Sequence, residues 1–228
     1  MPLLVARSLR EAFLDLGPSA LWMLDEGTGT QLRDAMGANH LTISATYTLR
    51  SRPLSLDDDA SVFFDGTSGR ADKTGSTLNF GTAVSVAVLL MPSSVGPAVS
   101  YVACCGVNGN FGYRVSLQSG IPKFTVGNGT TTSTAGTVTQ LSTTRPSLIV
   151  GTYDNAAPKM YLNGALNNTG AGIVGPVLYT GGTDFVVSQI EGTVAGRYFP
   201  GNIGTLAVFN KALSAADNAY LGAVFGGG

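Results

Sequence analysis

From Pro18 onward the chain alternates short runs of β-branched, aromatic and Leu residues with clusters of Gly, Asn and Asp. That is the pattern of half-buried strands punctuated by turns. It predicts strands at 21–24, 61–64, 84–90, 112–117, 123–126, 148–153, 159–162, 185–188 and 204–209. With weaker candidates the count reaches about a dozen, too many for one open sheet. Two hairpins stand out: 112–117 with 123–126 across a Gly-Pro-containing turn, and 148–153 with 159–162 across Asp154 to Pro158. A third turn falls at Asn163-Gly164, residue types that tolerate positive φ. The class predicted is all-β: an antiparallel two-sheet β-sandwich.

Two segments break the strand pattern. In residues 3–16, Leu3, Leu4, Ala6, Leu9, Phe13 and Leu16 recur near helical spacing, and Gly17-Pro18 ends the run. This short amphipathic helix has two roles open to it: packing on its own sandwich, or docking on a neighbouring subunit. At the other end Ser214 is placed to accept from the Asp217 amide as an N-cap, with Gly226 closing a terminal helix. The organisation expected is an N-terminal helix or arm at 1–18 and one sandwich domain at 19–228, since β-sandwiches of about 200–250 residues commonly form one domain.

Composition narrows the function classes. Only 12% of the residues are charged and 31 are Gly, which suits a turn-rich β protein. The 13 Lys and Arg are scattered and the net charge is −1, so no nucleic-acid footprint is present. Asp57-Asp58-Asp59 reads as a solvated loop. Cys104 and Cys105 are adjacent and have no third cysteine to pair with, so they are expected as buried thiols. Arg7, Arg10, Glu11 and Asp15 interrupt any apolar export signal at the N-terminus. No apolar stretch approaches the ~20 residues a membrane helix needs. Synthesis in a cytoplasm without membrane insertion is therefore expected.

Four segments carry a family likeness in a fixed order. They are 20–40 (ALWMLDEGTGTQLRDAMGANH), 61–73 (SVFFDGTSGRADK), 151–166 (GTYDNAAPKMYLNGAL) and 198–217 (YFPGNIGTLAVFNKALSAAD). Together they resemble the opening strand, Phe-Asp-Gly strand, Tyr-x-Asn-Gly hairpin and closing strand with helix of laminin G-like domains in the concanavalin A-like lectin/glucanase group. The resemblance implies a jelly-roll sandwich with short N- and C-terminal helices. It also implies that relatives often hold calcium between the loop after the first strand and acids of the closing strand. Asp34 with carbonyls near Gly37 and Asn39 matches the first half. The second half departs, because Ile203-Gly204-Thr205-Leu206 stands where relatives carry acids. No cofactor is therefore assigned, and calcium is left as a weak candidate at Asp34.

Glucanases of this fold need two carboxylates on one strand face, one to donate a proton and one to attack or activate water. Glu11, Glu26 and Glu191 fall in a helix, a turn and a loop, and neighbouring Asp25 and Glu26 alternate faces on an extended backbone. His40 has no second His and no nearby Cys to form a metal or catalytic set. The chain is expected not to be an enzyme. Trp22 is expected in the core, inside an apolar run.

The residues offered for ligand contact are Asp34, Asn39, Tyr47, Asp154 and Tyr198. Sugars take planar polar side chains beside an aromatic platform, and Tyr101 and Tyr179 are further candidates for that platform. Compact laminin G-like domains that open on a short helix and a strand like Phe13 to Leu24 resemble bacteriophage virion proteins. The likeness implies a decoration, fibre or minor tail protein partnered by other virion proteins and by itself, with host surface glycan as a further partner. The alternative is a free carbohydrate-binding module.

Overall fold

The computed structural model describes residues 7–55, 60–106, 111–173, 175–179, 183–190 and 196–226. Leu3, Leu4, Ala6, the Asp57 to Asp59 run and Glu191 lie outside the described residues. Two antiparallel sheets face each other across one core. The first sheet runs β14 (Ala165–Thr169), β13 (Lys159–Leu162), β12 (Ser147–Tyr153), β7 (Val84–Pro92), β16 (Pro200–Phe209), β5 (Val62–Asp65), β4 (Tyr47–Thr48). Here β1 (Ala20–Trp22) also pairs with β16. The second runs β11 (Thr132–Gly136), β10 (Ile121–Asn128), β9 (Phe111–Gln118), β8 (Ser100–Cys105), β15 (Phe185–Val187), β6 (Arg70–Lys73), β3 (Leu41–Ser44), β2 (Gln31–Leu32). The all-β sandwich expected from the sequence is what forms.

The unbroken apolar run of β7 has a physical cause. Val84, Val86, Val88 and Leu90 point into the inter-sheet core, while Ala87, Leu89 and Met91 pack under helices on the outer face. A strand covered on both sides does not alternate. The helices are α1 (Leu9–Asp15) and α2 (Ala215–Gly226). The sequence placed the first helix at 3–16; the described helix starts at Leu9, because Ser8 caps it. The Ser8 hydroxyl accepts from Glu11 N (3.2 Å) and Glu11 Oε2 accepts from Ser8 N (3.0 Å), the reciprocal capping box. Leu9, Ala12 and Phe13 are buried in the same cluster as Leu21, Leu89 and Phe209, so of the two roles open to this helix the structure shows packing on its own sandwich. At α2 the Ser214 hydroxyl accepts from Asp217 N at 3.1 Å, as the capping pattern predicts.

At two turns of the first sheet close approach requires glycine. At the β13–β14 turn, Asn163 and Gly164 have φ of +50° and +86°, and a Cβ on Gly164 would lie 2.7 Å from Gly222 Cα of α2. After β5, Gly66 has φ +75° and a Cβ there would meet Pro200 at 2.7 Å. Asp65 organises that turn by accepting from the amides of Thr67, Ser68 and Gly69 at 2.9–3.0 Å and from the Thr67 hydroxyl. Burial pushes its carboxyl up, but these hydrogen bonds outweigh burial and hold it well below the usual carboxylate range.

β16 shifts register between Ile203 and Leu206, where it exchanges β5 for β1 as its neighbour. Gly204-Thr205, noted for replacing acids, sits at this irregularity. Both cysteines are buried thiols in no disulfide; Cys105 faces the inter-sheet core and Cys104 packs with Tyr101, Val186 and Ile190 on the other side of its sheet.

Candidate functional site

The segment from β1 to β3 builds the site. Trp22 is fully buried, stacks on Phe185 with ring centroids 5.1 Å apart, and donates from Nε1 to Asn39 O at 2.9 Å. Trp22 and Asp34 form an isolated bridge, which pinches off residues 23–33 as a protruding loop. Leu24 takes φ +55° at the start of that loop.

Asp34 holds the base of the loop. It is 3% exposed, and its Oδ1 accepts from Leu21 N and Met36 N, both at 2.9 Å. Its Oδ2 accepts from Ala38 N at 3.2 Å and Asn39 N at 2.9 Å. Two carboxylate oxygens have about four lone-pair sites, and four amides fill them. Asp34 has no lone pair left for a cation, and Gly204-Thr205 offers no carboxylate opposite, so the residues present do not fit a calcium ion of the kind the resemblance implied. Among the described residues no group of three or more His, Cys, Asp and Glu is placed to hold a metal.

The rest of the scaffold follows from this anchor. Asn39 is 1% exposed; its side chain accepts from Thr77 N at 3.1 Å and donates to Thr77 Oγ1 at 3.1 Å. His40 Nδ1 accepts from Asp34 N at 3.0 Å, so the neutral imidazole carries its proton on Nε2. Tyr47 donates its hydroxyl to Gly29 O at 3.2 Å and braces the loop from the β4 side.

The braced loop encloses an open cleft of about 610 Å³. Its walls are Asp25, Glu26, Thr28, Thr30, Gln31 and Arg33, with Met23 and with Arg10 contributed by α1. Glu26 is half-buried. Its Oε1 accepts from Arg33 N at 2.6 Å, whereas its Oε2 is buried and has no hydrogen-bond partner. A buried acceptor left without a donor costs about 1–3 kcal/mol, so Glu26, a residue of the cleft wall, carries an unsatisfied carboxylate oxygen. Gln31 also lines a second cavity of about 360 Å³ with His40, Thr42, Asp72 and Lys73. In that cavity Asp72 is paired with Arg70 at 3.2 Å.

Of the five residues offered from sequence, Asp34, Asn39 and Tyr47 come together here, but as supports behind the cleft and not as its lining. Asp154 lies elsewhere, exposed on the β12–β13 hairpin and paired with Lys159 at 3.1 Å. Tyr198 forms a parallel backbone bridge with Tyr101 of β8. The expected aromatic platform is not assembled: Tyr101 is buried with its hydroxyl accepting from Arg197 at 3.1 Å, and Tyr179 donates to Phe80 O at 3.0 Å. The lining residues were missed because they are polar rather than aromatic. A signal was present, since four of the ten residues 25–34 are charged in a chain that is 12% charged overall.

A two-sheet jelly-roll whose opening loop builds a polar cleft is the architecture of a concanavalin A-like sandwich. The family model of the concanavalin A-like lectin/glucanases superfamily, laminin G-like branch, matches residues 65–217, and the chain belongs to that superfamily. No curated protein sequence gives a match. Among solved structures, domain 4 of AbnA, a GH43 extracellular arabinanase from Geobacillus stearothermophilus in complex with arabinotriose, superposes with TM-score 0.67 at 17% identity, covering 90% of this chain and 98% of that one. The receptor binding domain of botulinum neurotoxin D gives TM-score 0.68 at 13% identity, covering 94% of this chain and 53% of that one. A Trypanosoma rangeli sialidase gives 0.64 at 11%, and there the 93% of this chain that aligns spans 33% of the sialidase. These likenesses establish the fold.

Proposed function

We propose that this chain is a non-catalytic, carbohydrate-binding β-sandwich and that the Asp25 to Arg33 cleft is its sugar site. The observation that carries the reading is the buried, partnerless Glu26 Oε2 in a cleft otherwise lined by carboxylate, guanidinium, amide and hydroxyl groups. A sugar hydroxyl is a donor of the right kind for that oxygen, which rotation of the half-buried Glu26 carboxylate would turn into the cleft, and its neighbours suit the ring's other hydroxyls. Arabinotriose on the similar arabinanase domain supports the same class of ligand. Catalysis is not part of the proposal, because Glu26 Oε1 is pinned to the Arg33 amide and its neighbour Asp25 is the one other acid lining the cleft.

The setting we favour is a bacteriophage particle, as a structural or adhesion component. The resemblance of Phe13 to Leu24 to virion domains supports this; peptide mass fingerprinting of purified particles tests it, and absence of the chain from them overturns it.

The sugar site is tested on a printed array of bacterial-surface and plant-wall oligosaccharides that includes arabinotriose. The wild type is expected to be retained on a subset, without release of reducing ends. Glu26→Gln keeps an oxygen for the Arg33 amide but replaces the free acceptor by a donor, so retention falls at least ~10-fold, the factor for about 1.4 kcal/mol. Retention on no glycan, or equal retention of the variant, overturns the reading.

A further inference from the structure

We propose, resting on the sugar reading of the cleft, that the cavity beside it takes an anionic group, so that the ligand is an oligosaccharide with a carboxylate or a phosphate on the unit beyond the one held at Glu26. The two cavities share Gln31 as a wall. Gln31, Thr42 and Asp72 stand opposite one another in register on β2, β3 and β6, and the first two are exposed positions of their strands. At about 4.8 Å between strands that row spans about 10 Å. The second cavity, of about 360 Å³, falls within the roughly 300–1,000 Å³ of small-ligand sites. A glycan held at Glu26 therefore has room for its next unit over Gln31.

The donors of that second cavity are in place before any ligand arrives. His40 Nδ1 accepts from Asp34 N at 3.0 Å, and Asp34 is itself held by four amides. The imidazole is thus fixed from behind, with Nε2–H on its other edge and no acceptor for it among the described residues. Lys73 lines the same cavity and makes no ion pair among the described residues. Asp72, the acid among the lining residues, is already engaged by Arg70 at 3.2 Å. A fixed N–H, an ammonium without a counter-charge and the Thr42 and Thr74 hydroxyls form a donor set that an oxyanion satisfies.

Charge decides which of the two cavities takes the anion. The cleft is lined by Asp25 and Glu26 as well as by Arg10 and Arg33, so an anion there meets two carboxylates, and like charges brought together cost affinity. In the second cavity Lys73 stands against an acid whose charge Arg70 already offsets. The uncharged unit of the glycan therefore belongs at Glu26 and the acidic unit beyond Gln31.

A printed array tests this when each acidic glycan, a uronic acid or a sugar phosphate, stands beside its neutral counterpart, the methyl ester or the dephosphorylated sugar. The full chain is expected to retain the acidic member at least ~10-fold more strongly, or about 1.4 kcal/mol, and the preference shrinks as sodium chloride is raised. Lys73→Gln and His40→Asn each bring the acidic-to-neutral ratio toward one. Asparagine still accepts from the Asp34 amide, but its side chain does not reach as far as Nε2. Glu26→Gln lowers retention of both members of a pair alike, which separates the two readings. Preference for carboxylates or for phosphates supports the assignment and identifies the group. Equal retention of both members, with the Glu26→Gln loss intact, overturns the anion and leaves the sugar site standing. Retention on no glycan overturns both, and an acid preference that survives Lys73→Gln and His40→Asn overturns the assignment to this cavity.

Discussion

Replacing Asp34 with alanine is expected to lower the unfolding free energy by about 3 kcal/mol or more, since each buried donor left unsatisfied costs about 1–3 kcal/mol. The side chain is 3% exposed and its two oxygens accept from Leu21, Met36, Ala38 and Asn39 amides. Removing it strands the buried Leu21 and Asn39 amides where water enters poorly and frees the Trp22–Asp34 bridge that closes the loop. Asparagine is expected to rescue only part of the loss, because its amide nitrogen would face two N–H groups that need an acceptor. Urea titration of both variants measures the difference. Calcium added to the wild type is expected to leave its urea midpoint unchanged, as Asp34 has no lone pair to offer. A variant at position 34 with wild-type stability would mean that the loop is held elsewhere.

Asp34 also shows how far a sequence can be read. Its importance was legible, because an Asp after a turn in an opening strand is a family mark; its role was not. Whether a carboxylate binds a cation or caps a loop depends on which amides converge on it, and residues 21, 36, 38 and 39 meet only after folding. Most strands with strong apolar character were placed within a residue or two, as at β13, which matches its predicted range of 159–162, whereas β16 begins four residues before its predicted start at 204. Most of those missed had no period to detect; β3 does alternate, but over four residues only. β2 and β4 have two residues each, β6 reads Arg-Ala-Asp-Lys, and β14 is wholly exposed. β8 is buried on both faces because Val99 and Ile190 cover its outer side, which no local pattern records. The cleft was missed for a related reason: attention to aromatic platforms passed over the polar run 25–33, whose side chains share a wall only because Asp34, Asn39 and Tyr47 fix the loop behind them.

Truncating Phe13 to alanine is expected to cost about 3–5 kcal/mol, the range for losing a buried phenylalanine side chain. Phe13 is fully buried, packs at 6.5 Å between ring centroids against Phe209, and is flanked by buried Leu9 and Ala12. For a chain of this size each kcal/mol moves the melting temperature by about 2–4 °C, so a fall of roughly 10 °C is expected. Leu14, one residue on and 42% exposed, is the control: Leu14→Ala is expected to stay within about 0.5 kcal/mol. Deleting residues 1–16 removes the whole cover and leaves Leu89, Ala207 and Phe209 open to water, so it is expected to destabilise more than Phe13→Ala. The amphipathic pattern alone left open that this helix serves a neighbouring subunit and that its removal spares the fold. The buried contacts of α1 favour the opposite outcome, and a truncated chain melting at the wild-type temperature would show that those contacts contribute little.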